Sequence, residues 1–232
     1  MKISRRETMQ LSATALAGLS LAGLSSAAAQ NAAPPAGLVD TQLRNAPPLP
    51  LNPDGSAVEY PSQQAGTIAG VLWKTKNRET PDIEFDVRKM KVKLDGRGTT
   101  KLGGTLTFDH LEKLPRHSQI TLLQCGASMP RGIVKWTGVR FSDFAQAVGA
   151  QSFAYYCRLV GSDAYFIDED MTTLMHPQVV LAWQLNDEPI PPQHGAPLRL
   201  IVPFRYGARS LKAIQEIQFT ATSFPPPKAW PT

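Results

Sequence analysis

The stretch EPIPPQHGAPLRLIVPFRYGARSLKAI, from Glu188 to Ile214, decides how this chain is read. Its apolar centre, Leu198 to Val202, suits a short strand between loops rich in Gly and Pro. Arg199 interrupts that strand, and by context alone it is a strand residue with a solvated head. Gly207 follows Tyr206, and its lack of a side chain leaves the backbone there unshielded. Leu211 to Thr220 then suits a short turn of helix or a strand.

Working back toward the N-terminus, Val179–Leu185 and Ala154–Val160 have strand character. Ser142 to Val148 is expected to be a short helix that ends at Gly149. Ile120 to Gln124 is a compact apolar strand with Cys125 and Gly126 at its end. Thr107 can cap a short helix through Leu114, stopped by Pro115. From Ile83 the pattern has period two: Ile83, Phe85 and Val87 share one parity, and Met90, Val92 and Leu94 the other. A one-residue offset exchanges the faces of a strand, so a bulge or bend should divide two strand segments. Asp95-Gly96 closes the second with a turn. Short strands outnumber short helices, with no regular βαβ alternation and no internal repeat. The expected class is α+β, one domain dominated by sheet.

The first 29 residues read as an address. Arg5 and Arg6 follow Ser4, an apolar stretch runs from Leu11 to Leu24, and Ala27-Ala28-Ala29 offers a cleavage site. The paired arginines indicate a twin-arginine export signal, although Thr8 stands where such signals usually carry a large apolar residue. An ordinary secretory signal or an uncleaved anchor is the other reading. The twin-arginine route carries folded proteins, which suits a periplasmic enzyme that receives a cofactor in the cytoplasm. Removal of this segment takes away Lys2, Arg5, Arg6 and Glu7 and lowers the net charge from +5 to about +3, which gives no reason to expect nucleic acid. Residues 30–66 form a proline-rich linker, with Pro34, Pro35, Pro47, Pro48, Pro50, Pro53 and Pro61, expected to lie extended over the domain or stay mobile. The domain itself should span 67–224, followed by a tail from 225 to 232. Cys157, in FAYYCRLV, reads as a small buried hydrophobe, and its pairing with Cys125 as a disulfide is only weakly suggested.

Three motifs together carry a family resemblance: LLQCGAS (Leu122 to Ser128), Trp136-Thr137-Gly138-Val139, and the long run from Glu188 to Ile214. In this order they resemble the sulfite-oxidase family of molybdopterin-dependent oxidoreductases, most of all its periplasmic methionine-sulfoxide reductase catalytic subunits. The resemblance covers roughly Trp73 to Phe219 and implies the sulfite oxidase catalytic-domain fold. It implies that Cys125 is the protein's thiolate ligand to molybdenum, two further sulfurs coming from the dithiolene of a pyranopterin. A thiolate suits a soft metal, and a metal draws the thiol toward that form. It further implies that Arg199 and Lys212 bind the pterin's phosphate as planar fork and point charge. Ser210 and Leu211 match a backbone stretch that wraps that phosphate, and His194 matches a residue placed on the pterin. Trp73 and Asn77 stand where family members carry cofactor contacts. Tyr206 could donate to a metal-bound oxygen or could pack in the core. His176, in MHPQ, is read as a residue that orders its loop.

The chain also departs from the family pattern. Sulfite oxidases follow the ligand cysteine with arginines that bind an anionic substrate, whereas here Gly126-Ala127-Ser128-Met129-Pro130-Arg131 follows it. The reductases carry Glu two places after the cysteine, and this chain has Ala127. The resemblance implies an enzyme that moves an oxygen atom to or from a small-molecule or oxidised-protein substrate, most of all a sulfoxide-type reductase. The alternatives are a sulfite dehydrogenase, with Arg131, Arg158 and Arg205 as candidates for an anion pocket, and a periplasmic binding protein that kept the fold without the metal. No C-x-x-C-H haem motif is present, so the electron-transfer partner would be a separate membrane haem protein or cytochrome.

Overall fold

The structure is a computed structural model that describes residues 47–75 and 78–224. The export segment, the first part of the proline-rich stretch, Asn77 and the tail from 225 lie outside the described residues. Along the chain run β1 (Val92–Asp95), β2 (Gly104–Leu106), α1 (Phe108–Leu111), β3 (Arg116–Gln124), β4 (Arg131–Arg140), α2 (Phe141–Ala147) and β5 (Tyr156–Gly161). They are followed by β6 (Phe166–Asp170), α3 (Met171–Leu174), β7 (Val180–Leu185), β8 (Glu188–Pro189), β9 (Arg199–Ile201) and β10 (Ile214–Thr220).

Two five-stranded sheets result. One has the order β2-β1-β10-β5-β6, with β1 and β10 parallel and the other pairs antiparallel. The other has the order β3-β4-β7-β8, with β9 also paired to β7. The apolar run of β7 leaves it no polar face. Leu181 and Trp183 enter one core, and Val180 and Ala182 enter another, so the strand is buried on both sides. The larger core takes Leu94, Leu159, Ile217 and Phe219 from the first sheet and Val139, Leu181 and Leu200 from the second. Phe141 and Phe144 of α2 join Phe219 there, at ring distances of 6.0 and 6.3 Å. Each such side chain contributes about 1.5–3 kcal/mol by leaving water.

The helical expectations follow from their caps. Thr107 and His110 close a capping box over α1. The chain leaves α2 through Val148 and turns at Gly149, whose φ is +69°. Leu211 to Thr220, readable as helix or strand, is a strand from Ile214 onward. Ile83–Val87 is not a strand, which corrects that expectation. The Asp86 side chain accepts from the Arg88 N–H and starts a 3-10 turn at Val87–Lys89 instead. The alternation there records half-burial of Ile83, Phe85 and Val87 without a ladder partner.

The described part of the proline-rich stretch lies along the second sheet. Tyr60 N–H donates to Ile120 O (2.9 Å), at the outer edge of β3. Ala69 exchanges both backbone bonds with Arg131. Gln178 treats Ala57 as a strand neighbour would, accepting from its N–H (2.8 Å) and donating to its carbonyl (2.9 Å). Ile68 closes the smaller core.

Candidate functional site

The period of β3 decides what its C-terminal end presents. Leu123 and Cys125 face one side and Gln124 the other, because successive side chains alternate. Leu123 and Cys125 line a cleft of about 110 Å³ that is open to solvent. Cys125 is a free thiol, half-buried, and its N–H donates to Pro130 O (2.9 Å), which closes the loop between them.

The opposite wall comes from β9 and the segment after it. Arg199, Gly207, Ala208, Ser210, Leu211 and Lys212 all line the same cleft. Ser210 turns its hydroxyl inward to accept from Val202 N–H (3.0 Å), leaving its backbone toward the cleft. The 3-10 turn Gly207–Arg209 is pinned from behind, since Arg209 Nε donates to Glu169 Oε1 (2.5 Å).

Burial makes the cations unusual. Arg199 is 3% exposed, lies 5.1 Å from the Trp136 ring and donates from Nη1 to His194 O (2.8 Å). Its Nε has no partner, and desolvation lowers its pKa to about 9. Lys212 sits 4.5 Å over the Trp73 ring and donates to Leu72 O (3.0 Å) and Gln193 O (2.8 Å). Burial, and secondarily the charge of Arg199, brings its pKa down to about 7. Burial and these two cations hold His194 at about 4, so its imidazole is neutral at physiological pH. Lys74 lines the cleft too, and Asp163 is the acid that faces them. The excess of cations over this single acid on the lining favours an anion. A phosphate-bearing group with a soft metal fits this set, because a thiol suits the metal and Arg199 Nε and Trp73 Nε1 are buried donors without a partner among the described residues.

Gly195 is required by this arrangement. Its φ is +104°, and a Cβ there would lie 2.8 Å from the Cβ and Cγ of Lys212. The HGAP turn therefore lets the Lys212 stem cross directly over the backbone.

Cys125, Arg199, Ser210, Leu211 and Lys212 are thus brought to one cleft. His194 and Trp73 stand just behind the cations that line it. Tyr206 is not on the lining; its hydroxyl donates to Pro47 O (3.2 Å). Asn77 lies outside the described residues. His176 packs against Phe204 with the ring centres 4.4 Å apart and accepts from Gln178 N–H, which orders its loop. None of the arginines considered for an anion pocket lines the cleft. Arg158 makes a bidentate pair with Asp168, Arg131 donates to Gln124 Oε1, and Arg205 is exposed beside Phe204. Leu72, Lys74, Asp163 and Tyr165 line the cleft without having been singled out. Asp163 accepts from Tyr165 N–H within a tight turn, so in sequence it resembles ordinary turn chemistry.

A model of the family described as oxidoreductase molybdopterin-binding domain matches residues 77–228. A putative protein-methionine-sulfoxide reductase subunit of Azospira oryzae is 32% identical over 142 residues, which cover 61% of this chain and 53% of that protein. The catalytic subunit of protein-methionine-sulfoxide reductase of Xanthomonas campestris pv. campestris is 32% identical over 155 residues, covering 57% of this chain and 45% of that protein. The chain thus spans about half the length of these curated relatives. Among solved structures, the sulfane dehydrogenase SoxCD from Paracoccus pantotrophus shares the fold, with a TM-score of 0.55 and 17% identity over 83% of this chain and 58% of that one.

Proposed function

This chain belongs to the oxidoreductase molybdopterin-binding domain family, and we propose that it is a periplasmic molybdenum enzyme that reduces a sulfoxide, as a small molecule or on an oxidised protein. The observation that carries this reading is the convergence of one half-buried thiol with a buried arginine, Arg199, and a half-buried lysine, Lys212, on a single cleft. When bound, the cofactor supplies the two-electron change that accompanies oxygen-atom transfer.

The chain's own residues hold and shape that chemistry. Cys125 is the sulfur ligand, presented rigidly by a strand end whose N–H is already satisfied by Pro130 O. Arg199 and Lys212 hold the phosphate, and the backbone of Ser210 and Leu211 wraps it. Trp73, whose ring lies under the Lys212 ammonium, and the neutral His194, whose carbonyl accepts from Arg199, hold the two cations toward the pterin without adding charge. Reduction of a sulfoxide consumes two electrons and two protons and yields a sulfide and water. The electrons come from a separate membrane haem protein or cytochrome. Sulfide formation is preferred over sulfite oxidation because Arg131, Arg158 and Arg205 are committed or turned away, as described above. The arginine pair and the apolar stretch of the first 29 residues support export to the periplasm.

Protein purified from cells with intact cofactor biosynthesis is expected to carry stoichiometric molybdenum and to reduce methionine sulfoxide with a reduced viologen. Cys125→Ala should abolish turnover and the metal–thiolate absorption while leaving the fold intact. Metal-free protein would favour a binding protein of this fold. Sulfite-dependent reduction of cytochrome c without sulfoxide turnover would favour a sulfite dehydrogenase.

A further inference from the structure

Gln124 precedes Cys125 but points away from the cleft. It is 1% exposed, and both ends of its amide are used: Oε1 accepts from Arg131 Nε (3.2 Å), and Nε2 donates to Pro47 O. The hydroxyl of Tyr206 donates to the same carbonyl oxygen. One oxygen with two lone pairs therefore serves donors from β3 and from the cofactor-facing segment after β9. Each donor sits one residue from a cleft-lining position, Cys125 in one case and Gly207 in the other. The two walls also touch here, since a Cβ on Gly207 would lie 3.4 Å from Gln124 O. Arg131 closes the group through its backbone exchange with Ala69, farther along the same arm.

Resting on the reading of Cys125 as the metal's sulfur ligand, we propose that Gln124 and Tyr206 are positioning residues latched by the Pro47 carbonyl. Through them the proline-rich arm sets the orientation of the ligand sulfur relative to the phosphate-wrapping segment. The contact is specific to this place. The arm is held elsewhere by Gln178 and by the edge of β3, so losing Pro47 alone leaves it attached.

The test uses the full holoenzyme, Gln124→Leu, Tyr206→Phe, a chain lacking residues 30–50 behind the intact export segment, and that shortened chain with Tyr206→Phe. The readouts are the thiolate-to-molybdenum absorption and hydrogen exchange at the Cys125, Arg209 and Ser210 amides. Their acceptors are Pro130, Tyr206 and Gly207 carbonyls. The shortened chain and both point variants should shift the absorption and speed exchange at these amides about fivefold, with the amide of Leu159 in β5 unchanged. Tyr206→Phe should have no further effect in the shortened chain. An unchanged spectrum and unchanged exchange in the shortened chain would overturn the latch, as would an equal effect of Tyr206→Phe in both backgrounds. If Gln124→Leu fails to fold, the Tyr206→Phe pair still decides. A wild-type protein without the thiolate absorption would defeat the ligand reading instead, and the exchange rates would still test the latch.

Discussion

Lys212 carries the clearest consequence at the scale of single residues. Its folded pKa of about 7 lies below the ordinary 10.5, because burial and the Arg199 charge disfavour the ammonium, while Asp163 opposes them only in part. Between these values the unfolded chain binds the extra proton, so this group makes the cofactor-free protein more stable as pH rises from about 7 toward 10.5. A bound anion favours the protonated form and reverses the preference. Sulfate, which does not titrate in this range, should therefore raise the melting temperature of cofactor-free protein more at pH 6 than at pH 8. Lys212→Met should remove the difference, and an equal rise at both pH values in the wild type would refute the assignment. Gly195→Ala adds a Cβ at a φ that disfavours side chains and against the Lys212 stem. It should cost about 1–3 kcal/mol in denaturant unfolding and weaken sulfate binding as well.

Strand pairing sets the next scale. The bulge between Thr137 and Gly138 brings β7 so close that a Cβ on Gly138 would lie 1.9 Å from Leu181 O. Gly138→Ala should therefore open the β4–β7 pairing at a cost of at least about 3 kcal/mol, read as a lowered denaturant midpoint. A neutral result would mean that the two strands can separate without penalty. This explains in physical terms the Trp-x-Gly element, whose glycine belongs to the sheet rather than to the cleft. Elements with their own local signals were legible in sequence: α1 through Thr107 and Pro115, α2 through Gly149, and the apolar core of β3. Ile83–Val87 was misread because half-burial against the cores produces the same alternation as a ladder. β6 was not expected at all, since Phe166–Asp170 carries three acids in five residues and is held by pairing with β5.

The described residues fall within one compact unit, with cores on both faces of β7. The cleft draws on segments as far apart as Leu72, Cys125, Asp163 and Lys212. Binding there should couple to the stability of the whole unit. A ligand present at a thousandfold its dissociation constant stabilises by about 4 kcal/mol. Holoprotein should thus unfold in one calorimetric transition at a clearly higher temperature than cofactor-free protein, and two separate transitions would contradict this coupling.

The sequence by itself determined the family, the sheet-rich class and the chemical identities of the thiol and the two cations, because those rest on residue types in a fixed order. Only the tertiary structure decided which of them share a cleft and how strongly burial discharges Lys212. It also decided that Asp163 faces the cations and that Pro47 binds beside Cys125. Proximity between distant segments and the loss of water around a charge are properties of packing, and no local pattern of residues encodes them.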